Sequence, residues 1–541
     1  MPFRVLVTDD IDPEGVALLA SEPHLRVDEV PTLPKDELLA RIGDYDAIVG
    51  RSATRISADV LRQATKLKVV GRAGVGVDNI ALDVATELGV AVINAPAGNT
   101  IAVAELFFGT LLSLFRHLPR ANASMHAGRW DRSQLLGVEL KCRTLGIVGV
   151  GRIGGEIASR ALAFGMNVVG YDPYIPDSRF QALRIRRAPT LESLLAEAEI
   201  LTVHTPLTDE TTGLIGRSEI ARLPTGAVVV NMARGGIVAD DALAAALDSG
   251  KLMGAVLDVY VKEPLVGDHP FKDRDNVILT PHIGASTAEA QRNVAVEVCR
   301  SVRDALLSGE LSGSLNVAQS SGPGWTDLRP ALMVAQRASA IGRAILAGHG
   351  GRAVQRLTVR YGPDLAGAGE VLAAAAAVGA LEGVLESERL NLISARSLAA
   401  SRGIEIAVTE SAGLPHPASV EISLAAGMQE LAVAGIAPRD AAWRLTRIGG
   451  FHVDVAPRDT LIVLTNKDVP GVIGRVGTLL GDSGVNIAEY HQARLAQGGE
   501  ALAAITVDNA VGAEIQKRLM ELPDVLTATI VRFGATIAAG A

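Results

Sequence analysis

Gly149, Gly151 and Gly154 occur in the run GVGRIG at 149–154, directly after a strand-like apolar stretch and at the start of a helix-like one. Glycines at this spacing let the backbone turn tightly, so that a pyrophosphate can approach the N–H groups of a helix N-terminus. About 20 residues on, Asp172 ends the next apolar run, where a carboxylate can accept hydrogen bonds from a ribose diol. Pro173 and Tyr174 follow Asp172, and no arginine does, so a 2′-phosphate would meet a negative charge with no obvious partner. NAD is therefore expected over NADP. The plainer alternative is a glycine turn with a capping aspartate.

A second set comprises Arg234 in NMARGGIVAD, Glu263 in LDVYVKEP and His282 in LTPHIGAS, each after a strand-like run. The C-terminal ends of strands are where an open α/β sheet binds its ligands. A guanidinium grips a carboxylate and polarises a carbonyl, a histidine exchanges an alcohol proton, and a carboxylate tunes that histidine, so the set suits hydride transfer. Spacing alone leaves three ordinary surface charges as an equal alternative; the surrounding motifs favour chemistry. Nearer the N-terminus, RSATRIS, GRAGVGVDNI and NAPAGNT carry Arg51, Ser52, Arg72, Gly74, Val75, Gly76 and Asn99. N–H groups of a glycine turn bind a carboxylate, and added arginines suit a phosphate, with solvated surface arginines as the alternative.

These residues need scaffolds, and the chain is long enough for several: 541 residues allow about three to five domains. Hydrophobic content of 48% with 21% charged residues excludes a disordered chain or a fibrous repeat. A net charge of -9 and 3% aromatics argue against a nucleic-acid grip. Cys142 and Cys299 form no CxxC pair, so neither a disulfide framework nor a metal site is expected. The start MPFRVLVTDD lacks the apolar core of a secretory signal, and the alanine-rich stretch at 372–381 is too short to span a bilayer. A cytoplasmic protein with no membrane partner is expected.

Short apolar runs alternate with helix-patterned pieces from residue 3 to 96, and again from 144 to 280, which predicts two doubly wound parallel-sheet units in tandem. Between them, 100–125 reads as one long helix. After a helical stretch from 288 to 307, the Gly/Ser-rich segment 308–324 marks a domain boundary. Beyond it, helices at 327–346 and 371–385 and strands at 356–361, 404–409, 420–424, 428–433 and 442–447 predict an α+β domain. The last ~80 residues read βαββαβ, a ferredoxin-like order suggesting a small regulatory module.

GVGRIG, NMARGGIV, DVYVKEP and PHIGAST together resemble the D-isomer-specific 2-hydroxyacid dehydrogenases, and residues 3–535 resemble the long members that act on 3-phospho-D-glycerate. The resemblance implies NAD-dependent interconversion of 3-phosphoglycerate and 3-phosphohydroxypyruvate, the first step of phosphorylated L-serine biosynthesis. It places the catalytic trio on Arg234, Glu263 and His282. It also implies a substrate domain from 1–97 with 289–318, a Rossmann NAD-binding domain at 98–288, an intervening α+β domain at 319–455 and an ACT-like regulatory domain at 456–541. Cofactor contacts fall on Gly149, Gly151, Arg152, Ile153, Gly154, Asp172, Thr205, Met232, Ala233, Arg234, Asp258, His282, Gly284 and Ala285. Thr205 reads alternatively as a turn residue before Pro206. Arg132 resembles an arginine that the family extends to the substrate across a dimer contact.

In the ACT-like unit, Asn466, Asp468 and Asn486 are candidates for the ammonium and carboxylate of a small amino acid, by analogy L-serine. The alternative is a module that only dimerises. Arg439, Arg444, Arg447 and His452 in the intervening region could hold an anion, or be scattered surface charges. A homo-oligomer, dimer or tetramer, is implied by the resemblance. The rival readings are a dehydrogenase for another D-2-hydroxy acid and an NAD-sensing binding protein like the corepressors that share the fold.

Overall fold

The computed structural model describes residues 2–311, 313–348, 353–384, 389–457, 459–508 and 511–533. Among them the strands form four sheets. In the first, Leu25–Glu29, Phe3–Val7, Ala47–Gly50, Val69–Arg72 and Ala91–Asn94 lie side by side, all parallel. Strands buried on both faces must be apolar throughout, and Ala47–Gly50 and Ala91–Asn94 are buried at every position. Leu25–Glu29 was not expected: its sequence LRVDE carries too much charge to read as a strand, and it survives as an edge.

Helix Ala288–Ser308 returns to cover this sheet. Its buried side Val294, Val298, Cys299, Val302 and Leu306 follows helical spacing, and Gly71 lets it approach, since a Cβ there would lie 2.6 Å from a Val302 methyl. Cys299 is sealed in this interface, where burial pushes its thiol up to about 12 and removes it as a nucleophile. The Gly/Ser-rich stretch after the helix is not a loose linker. Asn316 accepts from Val92 N at 2.9 Å and donates to Val90 O at 2.9 Å, and Leu315 N donates to Val92 O at 2.8 Å. The segment is thereby tied to strand Ala91–Asn94.

The second sheet runs Val277–Leu279, Leu252–Leu257, Ala227–Asn231, Ile200–Val203, Thr144–Val148, Asn167–Tyr171 and Arg186–Arg187, again parallel throughout. The order reverses between Ile200–Val203 and Thr144–Val148, creating the crevice where a doubly wound sheet receives a nucleotide. The helix expected over 100–125 is two helices, Thr100–Phe115 and Leu118–His126, bent by 65°. Pro119 cannot continue the hydrogen-bond ladder, and His117 turns through the left-handed region at φ 50°. Among the described residues no single helix is long and apolar enough to cross a membrane; these two pass together only by length and composition.

The third sheet is mixed: Glu405–Glu410 pairs parallel with Arg356–Tyr361, followed antiparallel by Ser419–Ala426, Gln429–Ile436, Arg444–Ile448 and Phe451–Val455. Helices Trp325–Gly348 and Gly369–Leu381 cover it, so close that a Cβ on Gly379 would lie 2.1 Å from Gln336 O. The helix expected over 371–385 ends earlier, at Leu381, where Glu382 leaves the helical conformation at ψ 128°; residue 385 itself lies outside the described residues. Two of the four residues that could hold an anion are paired with carboxylates: Arg447 with Glu421, and Arg444 with Asp454 and with Glu489 at 3.3 Å. Arg439 and His452 stand exposed. These ion pairs brace the sheet and link it to the fourth.

That fourth sheet is antiparallel, ordered Ile487–Arg494, Glu500–Val507, Thr460–Lys467 and Val525–Arg532, with helices Val472–Asp482 and Ala513–Met520 in the βαββαβ sequence.

Candidate active site

His282 and Glu263 meet after the strands Leu252–Leu257 and Val277–Leu279. His282 Nδ1 lies 2.7 Å from Glu263 Oε2, and the other carboxylate oxygen of Glu263 accepts Tyr260 N at 3.0 Å. The bond at Nδ1 directs Nε2 to be the nitrogen available to a ligand. The loop that carries His282 is built on Asp258, which is 1% exposed. Its carboxylate accepts Thr280 Oγ1 at 2.6 Å, Ile283 N at 2.8 Å and Gly284 N at 2.9 Å. Asp258, implied as a cofactor contact, thus holds this loop with both of its oxygens engaged. The Tyr260 hydroxyl, 2.9 Å from Thr280 O and 3.1 Å from Leu257 O, joins the same two loops. Burial pushes that phenol up to about 12, so it stays protonated as a donor.

Arg234 emerges from a turn organised by Asn231, which is 2% exposed. Asn231 donates to Arg234 O at 2.9 Å and accepts Ala233 N at 3.1 Å. Gly235 lets this turn press against the Tyr260 backbone, where a Cβ would lie 2.0 Å from the carbonyl carbon. Met232 is buried beneath the turn, and Ala233 half-buried.

Arg234 reaches the first sheet, where its Nε pairs with Asp78 Oδ2 at 3.0 Å. Asp78 belongs to the loop after Val69–Arg72, the same loop that bears Gly74, Val75 and Gly76. The guanidiniums lie directly over these glycines: a Cβ on Gly74, whose φ is +148°, would lie 1.5 Å from Arg72 Nη1, and one on Gly76 1.6 Å from Arg234 Nη2. Burial, then the charge of Arg234, push the Arg72 guanidinium down to about 10. Arg72 Nε and Asn99 Oδ1 are buried with no hydrogen-bond partner among the described residues. Orphaned polar atoms of this kind are costly, and a ligand would relieve them.

Arg51 and Ser52 sit on a neighbouring loop shaped by Asp9, which is 6% exposed. Asp9 accepts Arg51 N at 2.7 Å, Thr54 N at 2.9 Å and Thr54 Oγ1 at 2.6 Å. Neither Asp9, Asn231 nor Asp78 was singled out from the sequence. A loop-building carboxylate or amide has no local pattern; the available hint was their position just after strand-like runs. Arg132 lies exposed in the short turn Arg132–Gln134 and bonds none of these residues within its own chain.

The glycine turn fits a dinucleotide. Gly149 has φ +92°, a conformation that favours glycine, and a Cβ there would lie 2.6 Å from His204 O. A Cβ on Gly154 would lie 2.1 Å from Gly149 O, whereas one on Gly151 would meet no protein atom within 4 Å. Space is thus open above Gly151, at the N-terminus of helix Arg152–Ala163, with Arg152 exposed and Ile153 half-buried beside it. Asp172 accepts Val150 N at 2.9 Å and Tyr174 N at 3.0 Å, so its carboxylate is fixed at the rim of this space. An arginine does come near: Arg187 Nη2 donates to Asp172 O at 3.3 Å, but its other arm pairs with Asp177. Thr205 Oγ1 and His204 Nδ1 are buried without partners among the described residues, and burial pushes the His204 imidazole down to about 3. Ala285 is half-buried, and its carbonyl accepts the side chain of Gln291.

The three effector candidates do not converge within one chain. Asn466 faces Ala501, which pairs with Arg494, and Asp468 accepts Arg494 Nη1 at 3.2 Å and Gly498 N at 3.1 Å. Asn486 precedes Ile487, whose partner Val507 faces Thr460, and it donates to Asp508. At ~3.3 Å per residue, the strand separates Asn486 from Asn466 by about 20 Å.

The model of the D-isomer specific 2-hydroxyacid dehydrogenase NAD binding domain matches residues 108–284, which include the glycine turn, Arg234, Glu263 and His282, and NAD is the cofactor; an ACT domain model matches residues 460–524, within the fourth sheet's unit. Among solved structures, a glyoxylate reductase from Paecilomyes thermophila is 29% identical with TM-score 0.54, over 58% of this chain and 98% of its own. A protein from Thermus thermophilus is 37% identical with TM-score 0.52, over 56% of this chain and 96% of its own. Over nearly full length, this chain is 36% identical to D-3-phosphoglycerate dehydrogenase of Methanocaldococcus jannaschii, covering 98% of this chain and 99% of that one. It is 37% identical to the enzyme of that name from Bacillus subtilis, covering 98% and 99%. By that full-length likeness the chain belongs to the D-3-phosphoglycerate dehydrogenase family.

Proposed function

We propose that this protein oxidises 3-phospho-D-glycerate to 3-phosphohydroxypyruvate with NAD, and catalyses the reverse reduction. The observation that carries the reading is the His282–Glu263 pair, 2.7 Å apart, together with Arg234 and the glycine loop of Arg72. When bound, the nicotinamide accepts or returns the hydride. His282 Nε2 takes the proton of the 2-hydroxyl in oxidation and returns it to the carbonyl oxygen in reduction. Glu263 holds the imidazole in orientation and offsets its charge when protonated. Arg234 and the N–H groups around Val75 and Gly76 hold the carboxylate, while Arg51 and Arg72 take the phosphate, the group that leaves Arg72 so costly to bury empty.

The glycine turn, Asp172 and Thr205 hold the cofactor. We divide the chain into a substrate domain (1–97 with 289–318), a nucleotide domain (98–288), an intervening domain (319–455) and an ACT regulatory domain (456–541). L-serine is the effector, bound at Asn466 and Asp468 with Asn486 supplied by another copy, which accounts for their separation along the strand. The working form is therefore a homo-oligomer, dimer or tetramer, in which Arg132 reaches a neighbouring active site. Cys142 and Cys299 are both free thiols, in keeping with a cytoplasmic enzyme.

Initial rates of NADH oxidation with 3-phosphohydroxypyruvate against hydroxypyruvate, with and without L-serine, test the reading. Preference for the phosphorylated acid, suppressed by serine, supports substrate and effector together. Preference without a serine effect removes the effector, and no turnover of either acid removes the substrate assignment.

A further inference from the structure

Asp78 is the acidic group of the arginine-rich loop; it contacts the Arg234 guanidinium, and its charge acts on that of Arg72. Its Oδ2 lies 3.0 Å from Arg234 Nε, and Arg234 Nη1 donates to Ala233 O at 2.7 Å. Two sides of the Arg234 fork are thus held by the protein. Nη2 remains, seated over Gly76, where a Cβ would lie 1.6 Å from it and 2.8 Å from Asp78 Oδ2. Asp78 also acts on Arg72: the positive charge of Arg234 disfavours the Arg72 cation, and the negative charge of Asp78 opposes that effect. One carboxylate therefore offsets the repulsion of two like charges that the substrate's own anions must later join. The ion pair also spans the cleft, from a loop of the first sheet to the turn after strand Ala227–Asn231 of the second.

We propose that Asp78 is a positioning residue for the reaction, clamping Arg234 by Nε so that Nη2 is presented to the substrate. The assignment rests on the role given to Arg234 under the proposed function. An arginine side chain has many accessible rotamers, so an unclamped fork would sample many geometries. Asp78 is 65% exposed and Arg234 26%, and a pair this open adds little to the stability of the fold. Misplacement of a polarising group by about 1 Å can nevertheless cost ~100-fold in rate. Asp78 should matter to turnover and hardly at all to folding.

The test is steady-state kinetics of the full-length protein, Asp78→Asn and Asp78→Glu beside wild type, with NADH and whichever 2-oxo acid the wild type reduces fastest. Asp78→Asn should lower kcat about 10- to 100-fold, leave the KM for NADH within about twofold, and melt at the wild-type temperature. Asp78→Glu should recover a large part of the lost kcat, because a carboxylate returns to Nε. In the double variant with Arg234→Lys, the Asp78 change should cost little more, since there is then no fork to orient. Wild-type kcat in Asp78→Asn would overturn the proposal. So would a lowered KM for the oxo acid at unchanged kcat, the mark of a carboxylate that merely competes with substrate. Parallel loss of melting temperature and NADH affinity would make the role structural and overturn it too. If the wild type reduces no 2-oxo acid, the proposed function falls and the Asp78 assignment with it; wild-type turnover with an indifferent Asp78 variant overturns the assignment alone.

Discussion

Glu263 Oε2 stands 2.7 Å from His282 Nδ1, while Glu263 Oε1 is held by Tyr260 N at 3.0 Å, so the carboxylate is fixed at both oxygens and the imidazole is fixed by the carboxylate. Glu263→Gln can still bond Tyr260 N but carries no charge, and its amide can present the wrong partner to Nδ1. We expect kcat to fall about 10²- to 10⁴-fold, the range of a positioned acid–base pair, with NADH affinity within about twofold. His282→Ala should do the same, and rapid-mixing single-turnover rates with a fluorescence titration of NADH check both. A protein that only senses NAD would keep its partner binding in either variant.

Gly151 separates cofactor binding from folding. A Cβ there meets no protein atom within 4 Å, and its φ of -72° is open to any residue. Gly151→Val should therefore melt with the wild type yet bind NADH at least about tenfold more weakly, by filling the space meant for pyrophosphate. Gly154→Ala should instead lose stability, because its Cβ would lie 2.1 Å from Gly149 O. Calorimetric titration and thermal melts of the two variants should divide along this line.

Arg72 should set the preference for a phosphorylated substrate. A bond to a charged group contributes about 1.5–3 kcal/mol, or roughly 10- to 100-fold in KM. Arg72→Gln is expected to raise KM for 3-phosphohydroxypyruvate by that factor and to leave hydroxypyruvate nearly unchanged. Because burial and Arg234 push the Arg72 guanidinium down to about 10, it is a cation at neutral pH and loses charge as pH climbs toward 10. The preference in kcat/KM should therefore narrow at alkaline pH.

His204 should make the fold acid-sensitive. Its imidazole is pushed down to about 3 by burial, while in the unfolded chain it takes a proton near 6.5. Below 6.5 the unfolded state binds the extra proton, so this contribution to stability is full above that pH and declines as pH falls toward 3. The loss is about 1.4 kcal/mol per pH unit, or ~2 kcal/mol by pH 5. Urea unfolding at pH 7.5 and pH 5 should show a smaller drop for His204→Gln, which can keep a bond to Thr202 Oγ1. Equal drops would assign the acid sensitivity to other groups.

Asp468 should govern regulation without touching turnover. Gly498 N and Arg494 hold its carboxylate below the usual range, so it remains an anion available to an ammonium group. Asp468→Asn is expected to weaken serine inhibition at least about tenfold at unchanged kcat. Inhibition curves for the two proteins provide the check.

Local order was legible in the sequence because periodicity and turn chemistry are written in neighbouring residues. Helix Val472–Asp482 and strand Val525–Arg532 fall in the βαββαβ order read from the last ~80 residues, and the strand, glycine turn and helix around Gly149 read directly from GVGRIG. Arg234, Glu263 and His282 were legible for the same reason: each follows a buried strand in a distinctive run. What did not show was anything that depends on a distant partner. The break between Thr100–Phe115 and Leu118–His126 has a local cause, Pro119, that the apolar periodicity masked, whereas the tie of Asn316 to Val92 and the service of Asp258 beneath His282 join residues remote in sequence. Strand order and parallel register decide which loops open on one cleft, and that order is set by burial of whole sheet faces rather than by any short stretch of chain. Residue types thus determined which chemistry was available, while packing determined that Asp78 meets Arg234 and that Asn486 stands far from Asp468.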